Sequence, residues 1–318
     1  MQHYLFVHFK EKRTPDGEQI YFAVSKDGFH WEAINDGQPV LWAMINEKGV
    51  RDATIVRADN GKFYIIATDL SLAYSMKSLY QNNWRNVQLN GSNCLMMWES
   101  EDLLHWSEEK ALPVREPGSG CCWAPDIIQD KETGEFILHW SSPQIEKDMK
   151  MSIYYAKTKD FVTFTEPKIL YEKEDAGVID SCMVEEKGKY YLWVKCMRDP
   201  CAVIMLRSDC ITGPFERMYE FDKEMENLAG GGHAYEAPTA CRLENGGYNL
   251  FLDFFGVKGK GQGYVPFRAD DISKGIFKRA DGDFSYPYGF KHGTILTITE
   301  EEYRKIKAFD YDAESYNR

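Results

Sequence analysis

One unit recurs along the chain: a short strand that opens on an acidic residue, a tight turn, and a second strand rich in Tyr, Phe, Trp, Ile and Leu. The first strands begin at Asp52-Ala53-Thr54-Ile55-Val56, Asp126-Ile127-Ile128, Asp180-Ser181-Cys182-Met183-Val184 and Glu236-Ala237-Pro238-Thr239-Ala240. Turns follow at Asp59-Asn60-Gly61, Glu132-Thr133-Gly134, Glu186-Lys187-Gly188 and Glu244-Asn245-Gly246-Gly247. The second strands are Lys62–Thr68, Glu135–Trp140, Lys189–Val194 and Tyr248–Phe254. Short apolar runs bounded by Gly, Asn and Asp read as strands, and helical periodicity is nearly absent. The opening acids stand 74, 54 and 56 residues apart. A period of roughly 40–60 residues with about four strands per unit is the mark of a β-propeller. The 318 residues hold between five and six such units.

An outer hairpin follows each inner one and ends in similar wording: Ser100-Glu101-Asp102-Leu103-Leu104-His105-Trp106, Lys159–Phe164, Ser208–Phe215 and Ser25–Trp31. The aromatic that closes each unit is expected to fill the core. The strands Tyr4–Phe9 and Ile20–Trp31 precede the first acid, and His292–Thr299 is a strand with no hairpin after it. Pairing these end segments in one shared last blade removes open edges, so the expected fold is an all-β, five-bladed propeller, residues 1–318 forming one domain. Thr299 stands three residues before Glu302, as a capping box requires, so a terminal helix is expected there.

Composition narrows the partners. A net charge of −12 repels a phosphate backbone and an anionic membrane surface, which argues against nucleic-acid and membrane partners; a neutral ligand feels little of it. No apolar run reaches the ~18 residues of a membrane span. The start, Met1–Phe9, has no basic region followed by an apolar stretch and cleavage site, so it is not a secretory signal. The expectation is a cytoplasmic protein, or a secreted one whose leader has been removed. Eight cysteines are too sparse for a disulfide scaffold, and no Cys-x-x-Cys pair occurs, so buried reduced thiols are expected.

In a propeller the innermost strands converge on a central axis. The repeat therefore brings Asp52, Asp126, Asp180 and Glu236 to one pocket. Crowded carboxyls push their pKa values apart, leaving one ionised and one protonated near neutral pH. Such a pair can activate water and protonate a leaving oxygen, the chemistry of glycoside hydrolysis. The bland reading of any single acid is a turn or cap acceptor. Local context favours the pocket: Trp123-Ala124-Pro125-Asp126 sets an aromatic wall beside an acid, and Gly230-Gly231-Gly232-His233-Ala234-Tyr235-Glu236 delivers a glutamate from a glycine-rich loop. That loop lacks the lysine of a phosphate-binding P-loop.

Trp-Ala-Pro-Asp at 123–126, Tyr-Glu-Ala-Pro at 235–238, Gly-Val-Arg-Asp-Ala-Thr-Ile-Val-Arg at 49–57 and His-Gly-Thr-Ile at 292–295 follow the order and spacing of glycoside hydrolase family 43. The chain resembles that family over nearly its whole length. The resemblance implies a five-bladed propeller and an inverting mechanism with three carboxyls in a central pocket. It implies Asp52 as the base, Glu236 as the acid and Asp126 as the residue that raises the acid's pKa. Base and acid carboxyls should then lie about 6.5–9.5 Å apart to admit water. One departure is visible: the family's usual proline after the base is Ala53 here. The same resemblance makes Asp180 structural or pocket-lining and sets His292 at the pocket floor, near a water or a metal. No cofactor is required; a structural calcium near His292 is left open, without an Asp-x-Asn-type ligand loop to hold it. Arg51 is a candidate for a sugar hydroxyl or for neutralising Asp52, Trp123 for stacking on a sugar face, and Asp69 for a hydroxyl at the rim. Trp98 is expected in the core.

The implied activity is exo-release of a terminal α-L-arabinofuranose from an oligosaccharide or plant cell-wall glycan. A β-D-xylosidase and a galactosyl- or galactofuranosyl-directed hydrolase are the neighbouring readings. A non-catalytic glycan-binding propeller is the rival from another class. A WD-type scaffold lacks its Gly-His and Trp-Asp periodicity here.

Overall fold

The structure, a computed structural model, describes residues 2–228, 232–255, 263–280, 282, 284–287 and 289–311. Strands dominate. The first three are β1 (Gln2–Lys10), β2 (Tyr21–Ser25) and β3 (Trp31–Ala33). The four repeats supply β4 (Val50–Arg57), β5 (Phe63–Asp69), β6 (Cys94–Ser100) and β7 (Lys110–Pro113); β8 (Trp123–Gln129), β9 (Phe136–Gln144), β10 (Lys150–Thr158) and β11 (Lys168–Tyr171); β12 (Val178–Glu186), β13 (Lys189–Met197), β14 (Cys201–Ser208) and β15 (Glu216–Arg217); and β16 (Tyr235–Arg242), β17 (Tyr248–Phe254), β18 (Gly263–Ala269) and β19 (Lys278–Arg279). The last strand is β20 (Phe290–Thr299). Three short α-helices lie among the described residues, α1 (Trp84–Asn90), α2 (Tyr219–Glu226) and α3 (Glu300–Ala308), beside four single 3-10 turns.

Three sheets are four-stranded antiparallel meanders, β8 to β11, β12 to β15 and β16 to β19. The fourth has eight strands in the order β3-β2-β1-β20-β4-β5-β6-β7. Its two halves meet where β20, antiparallel to β1 over most of its length, touches β4 in parallel through the pair Gly293 and Ala53. Only glycine fits at 293, since a Cβ there would lie 2.0 Å from the Val7 carbonyl oxygen. The C-terminal strand is thus an inner strand beside the N-terminal one, as the terminal segments suggested.

The cores lie between neighbouring sheets, where strands such as β5 are buried on both faces and read as unbroken apolar runs. Tyr64, Phe136 and Phe161 pack with centroids 4.5–5.7 Å apart and join the first repeat to the second. The unit-closing aromatics do the same: Trp106 lies 6.0 Å from Phe22 of β2, and Trp31 lies 6.3 Å from Phe251 of β17. The recurring outer motif is a repeated turn. Asp27, Asp102 and Asp160 each accept from the backbone N–H groups two and three residues ahead. The capping box at Thr299 and Glu302 opens α3 as expected. Trp98 is buried at 1% exposure.

All four repeat-opening strands share a feature with no counterpart in the sequence reading. Each carries one extra residue against its partner. Pairing runs Arg51–Thr68 then Thr54–Ile66, Trp123–Ser141 then Asp126–His139, Ile179–Lys195 then Cys182–Trp193, and Glu236–Asp253 then Thr239–Phe251. These are β-bulges, which re-aim side chains. The bulged residues Asp52, Ala124, Asp180 and Ala237 all have left-handed backbones, with φ of 52°, 46°, 54° and 51°. A left-handed non-glycine residue is uncommon, and four in equivalent places mark a built device. The bulges also correct the expected register. Asp52 and Asp180 occupy one equivalent position, Glu236 the one before it, and Asp126 a later one, level with Thr54, Cys182 and Thr239.

Candidate active site

The inner-strand starts converge on a pocket of about 150 Å³, lined among others by Arg51, Asp52, Trp84, Trp123, Asp180, Glu236, Asp253, Lys291 and His292. The bulges explain who faces it. The kink turns Asp52 and Asp180 toward the hollow, and Glu236 enters from the position before its own bulge. Lys195, buried at 2% exposure, donates from Nζ to the Tyr235 carbonyl at 2.8 Å and the His233 carbonyl at 3.1 Å, fixing the backbone just ahead of Glu236. Gly230 and Gly231 of the preceding loop lie outside the described residues.

Asp52 is the ionised member. Burial opposes its charge, but His292 Nδ1 at 3.3 Å from Oδ1, Arg51 and the Thr68 hydroxyl at 3.2 Å outweigh it, so its pKa lies below the usual carboxylate range. His292 is the counterpart. Burial favours its neutral form, yet the hydrogen bond and charge of Asp52, with the charge of Asp180, raise it to about 9, so it stands as an imidazolium at neutral pH. Arg51 adjoins Asp52 and donates to Glu18 Oε1 at 2.8 Å.

Glu236 is the opposite case. Burial, then the charges of Asp180 and Asp253, push its pKa up to about 8, against the pull of Lys291 and His292. It therefore keeps its proton at pH 7. Asp180 itself is raised to about 6, first by burial and also by Asp52, with His292 opposing. Lys291 Nζ sits 2.6 Å from Asp253 Oδ2 and 3.4 Å from Glu11 Oε2. One pocket thus holds a carboxylate kept ionised and a carboxylic acid kept neutral, the division that general base and general acid require.

Two expected residues are elsewhere. Asp126 does not line this pocket. It is buried at 6% exposure, its Oδ1 accepts from the Thr54 hydroxyl at 3.0 Å, and its Oδ2 accepts from the Met183 N–H at 2.8 Å, with His139 Nε2 at 3.6 Å. The bulge at Ala124 carries it past the pocket into a tie between β4, β8 and β12. Asp69 is likewise internal, at 2% exposure, accepting from the Ser92 hydroxyl at 2.6 Å and the Glu47 N–H at 3.2 Å. The sequence reading missed Trp84, Lys291 and Asp253. For Trp84 a signal existed: the 74-residue first interval is some twenty residues longer than the others.

Among the described residues no group of three or more His, Cys, Asp or Glu is arranged to hold a metal. No helix among them is long and apolar enough to cross a membrane.

A family model described as a probable glycosyl hydrolase domain, glycosyl hydrolase 43-related, matches residues 1–304. An α-L-arabinofuranosidase of Bifidobacterium longum subsp. longum is 29% identical over 207 residues, covering 58% of this chain. The match takes in only 19% of that relative's length. Among solved structures, the GH43 protein BlXynB of Bacillus licheniformis, in a mutant form, superimposes with a TM-score of 0.59 at 16% identity, over 92% of this chain and 54% of that one. A family 43 β-1,3-galactosidase with galactodeoxynojirimycin gives 0.58 at 13% identity, over 89% and 92%.

Proposed function

The chain belongs to the glycosyl hydrolase 43-related family, and from that premise we propose that it is an inverting exo-glycoside hydrolase releasing terminal α-L-arabinofuranosyl residues from oligosaccharides or polysaccharide side chains. The observation that carries the reading is the pairing of a neutral Glu236 with an ionised Asp52 across one small pocket. In the reaction, Asp52 takes a proton from water as the water oxygen attacks the anomeric carbon. The bond from that carbon to the leaving oxygen breaks, and Glu236 delivers its proton to that oxygen. Attack opposite the leaving group inverts the anomeric centre. We assign to Asp180, rather than to the expected Asp126, the role of holding Glu236 protonated, because Asp180 shares the pocket and its charge raises the acid. Asp126 becomes a structural tie.

The five four-stranded groups, with β20, β1, β2 and β3 as the fifth, are read as five blades. Contact between Gly293 and Ala53 brings the last blade to the first. A pocket of about 150 Å³ is below the ~300–1,000 Å³ of sites for larger ligands, which favours one terminal sugar and exo action. Arabinofuranose follows the curated relative, and the solved galactosidase relative keeps a galactosyl donor as the second reading. The buried neutral acid argues against a purely glycan-binding role, which has no use for it.

Parallel assays on arabinofuranosides, xylosides and galactosides test the donor. Glu236→Gln is expected to lower turnover by about 10²–10⁴-fold, the usual worth of general acid–base catalysis. An undiminished rate defeats the assignment. NMR of freshly released sugar is expected to show the inverted anomer; retained configuration contradicts the mechanism.

A further inference from the structure

One long segment of the first repeat contributes to the pocket. In the second and third repeats the second and third strands are joined by short links, residues 145–149 and 198–200, whereas residues 70–93 separate β5 from β6. This excursion has its own small core of Leu70, Leu72, Met76, Tyr80 and Val87, against which Trp123 packs. It is pinned at both ends by buried groups. Glu18 accepts from the Leu72 N–H, Glu47 accepts from the Tyr80 hydroxyl, and the Cys121 N–H donates to the Gln88 carbonyl at 2.8 Å. The Asn83 side chain caps α1 by accepting from the Arg85 N–H at 2.9 Å.

This scaffold positions Trp84, the first residue of α1. Trp84 lines the catalytic pocket yet is 45% exposed, and its ring stands at 90° to that of Trp123 with centroids 6.1 Å apart. Trp84 therefore keeps an apolar ring face open where it borders the pocket. Two perpendicular indoles make a corner at the lip of a pocket whose floor is charged. The apolar face of a sugar ring fits such a corner, while its hydroxyls remain in water.

We infer that Trp84, delivered by the 70–93 excursion, forms the subsite for the leaving part of the substrate, so that the preferred substrate is a saccharide chain whose next sugar stacks on this indole. The inference rests on the hydrolase reading above and adds to it the class of the leaving group. A small aglycone has no second sugar ring to stack on Trp84.

The test uses two substrates sharing the donor sugar that the wild-type protein turns over: an oligosaccharide and the corresponding methyl glycoside. Trp84→Ala is expected to lower kcat/KM on the oligosaccharide by about tenfold more than on the methyl glycoside, the order of one aromatic contact. Trp84→Phe, which keeps a ring, is expected to recover most of the loss; where the alanine variant does not fold, Trp84→Gln takes its place. Equal losses on both substrates, or none on the oligosaccharide, overturn the inference while leaving the hydrolase reading intact. A wild-type protein that hydrolyses no glycoside overturns the hydrolase reading, and this one with it.

Discussion

Asp126 and Asp180 open consecutive inner strands, 54 residues apart, and in the sequence they look interchangeable. In the structure Asp180 sits on its bulge, with a left-handed backbone, facing Asp52, His292 and Glu236. Asp126 lies two residues beyond its own bulge, among the Thr54 hydroxyl, the Met183 N–H and His139. Both are carboxylates at strand starts and both strands carry the same bulge; the acid's place relative to it, on the bulge at 180 and two residues past it at 126, decides which lines the pocket and which ties strands together. A bulge re-aims the side chain it carries, so place relative to it outranks residue type here.

The contrast can be broken by exchanging the expected consequences of two substitutions. Asp180→Asn removes the anion that helps keep Glu236 protonated, so activity near neutral pH is expected to fall by on the order of 10²-fold. The alkaline limb of the rate profile should move to lower pH. Asp126→Asn keeps the shape but loses charge-assisted hydrogen bonds, and is expected to cost about 1.5–3 kcal/mol of stability while the limb stays in place. Denaturant titration together with kcat/KM against pH reads both. A shifted limb in Asp126→Asn and an unshifted one in Asp180→Asn would reverse the assignment.

The wild-type profile sharpens the same comparison. Glu236 must hold its proton, and its pKa is raised to about 8, so kcat/KM is expected to fall as pH rises through that value. Asp52 must be ionised, and its pKa is lowered, so the acid limb should lie below the ordinary aspartate range. An alkaline limb near pH 5 would show that the pocket does not protect the acid. The smallest effect belongs to Ala53→Pro. Pro125 and Pro238 already follow the bulged residues Ala124 and Ala237, and Ala53 follows Asp52 in the same way. The substitution is expected to stabilise by about 0.4–1 kcal/mol, measured as a shift in denaturation midpoint, with little change in rate.

Much of this was legible in the residues. Turns at Asn-Gly and Lys-Gly, apolar second strands and the Thr299–Glu302 box announced the elements, because each rests on local chemistry. The acids Asp52 and Glu236 were legible as a constellation, since the repeat placed them on inner strands. Register was harder, because a left-handed bulge at alanine or aspartate leaves no glycine to betray it. The clue lay in the Ala-Pro pairs at 124–125 and 237–238. Aligned on them, Asp126 falls level with Thr239, and Glu236 falls level with Trp123. Trp84 was marked only by the long first interval: Glu18, Glu47 and Cys121, which pin the excursion at Leu72, Tyr80 and Gln88, lie elsewhere in the chain and reach it only through the fold.

The strand from Phe290 to Thr299 gives the pocket a place in time as well as in space. During synthesis, Asp52, Asp180 and Glu236 all leave the ribosome before Lys291 and His292, the cations that face them. A nascent chain halted short of those two carries every acid of the pocket and none of the countercharge drawn from β20. Competence for chemistry therefore arrives late, with the seam beside Val7 that only Gly293 can fill.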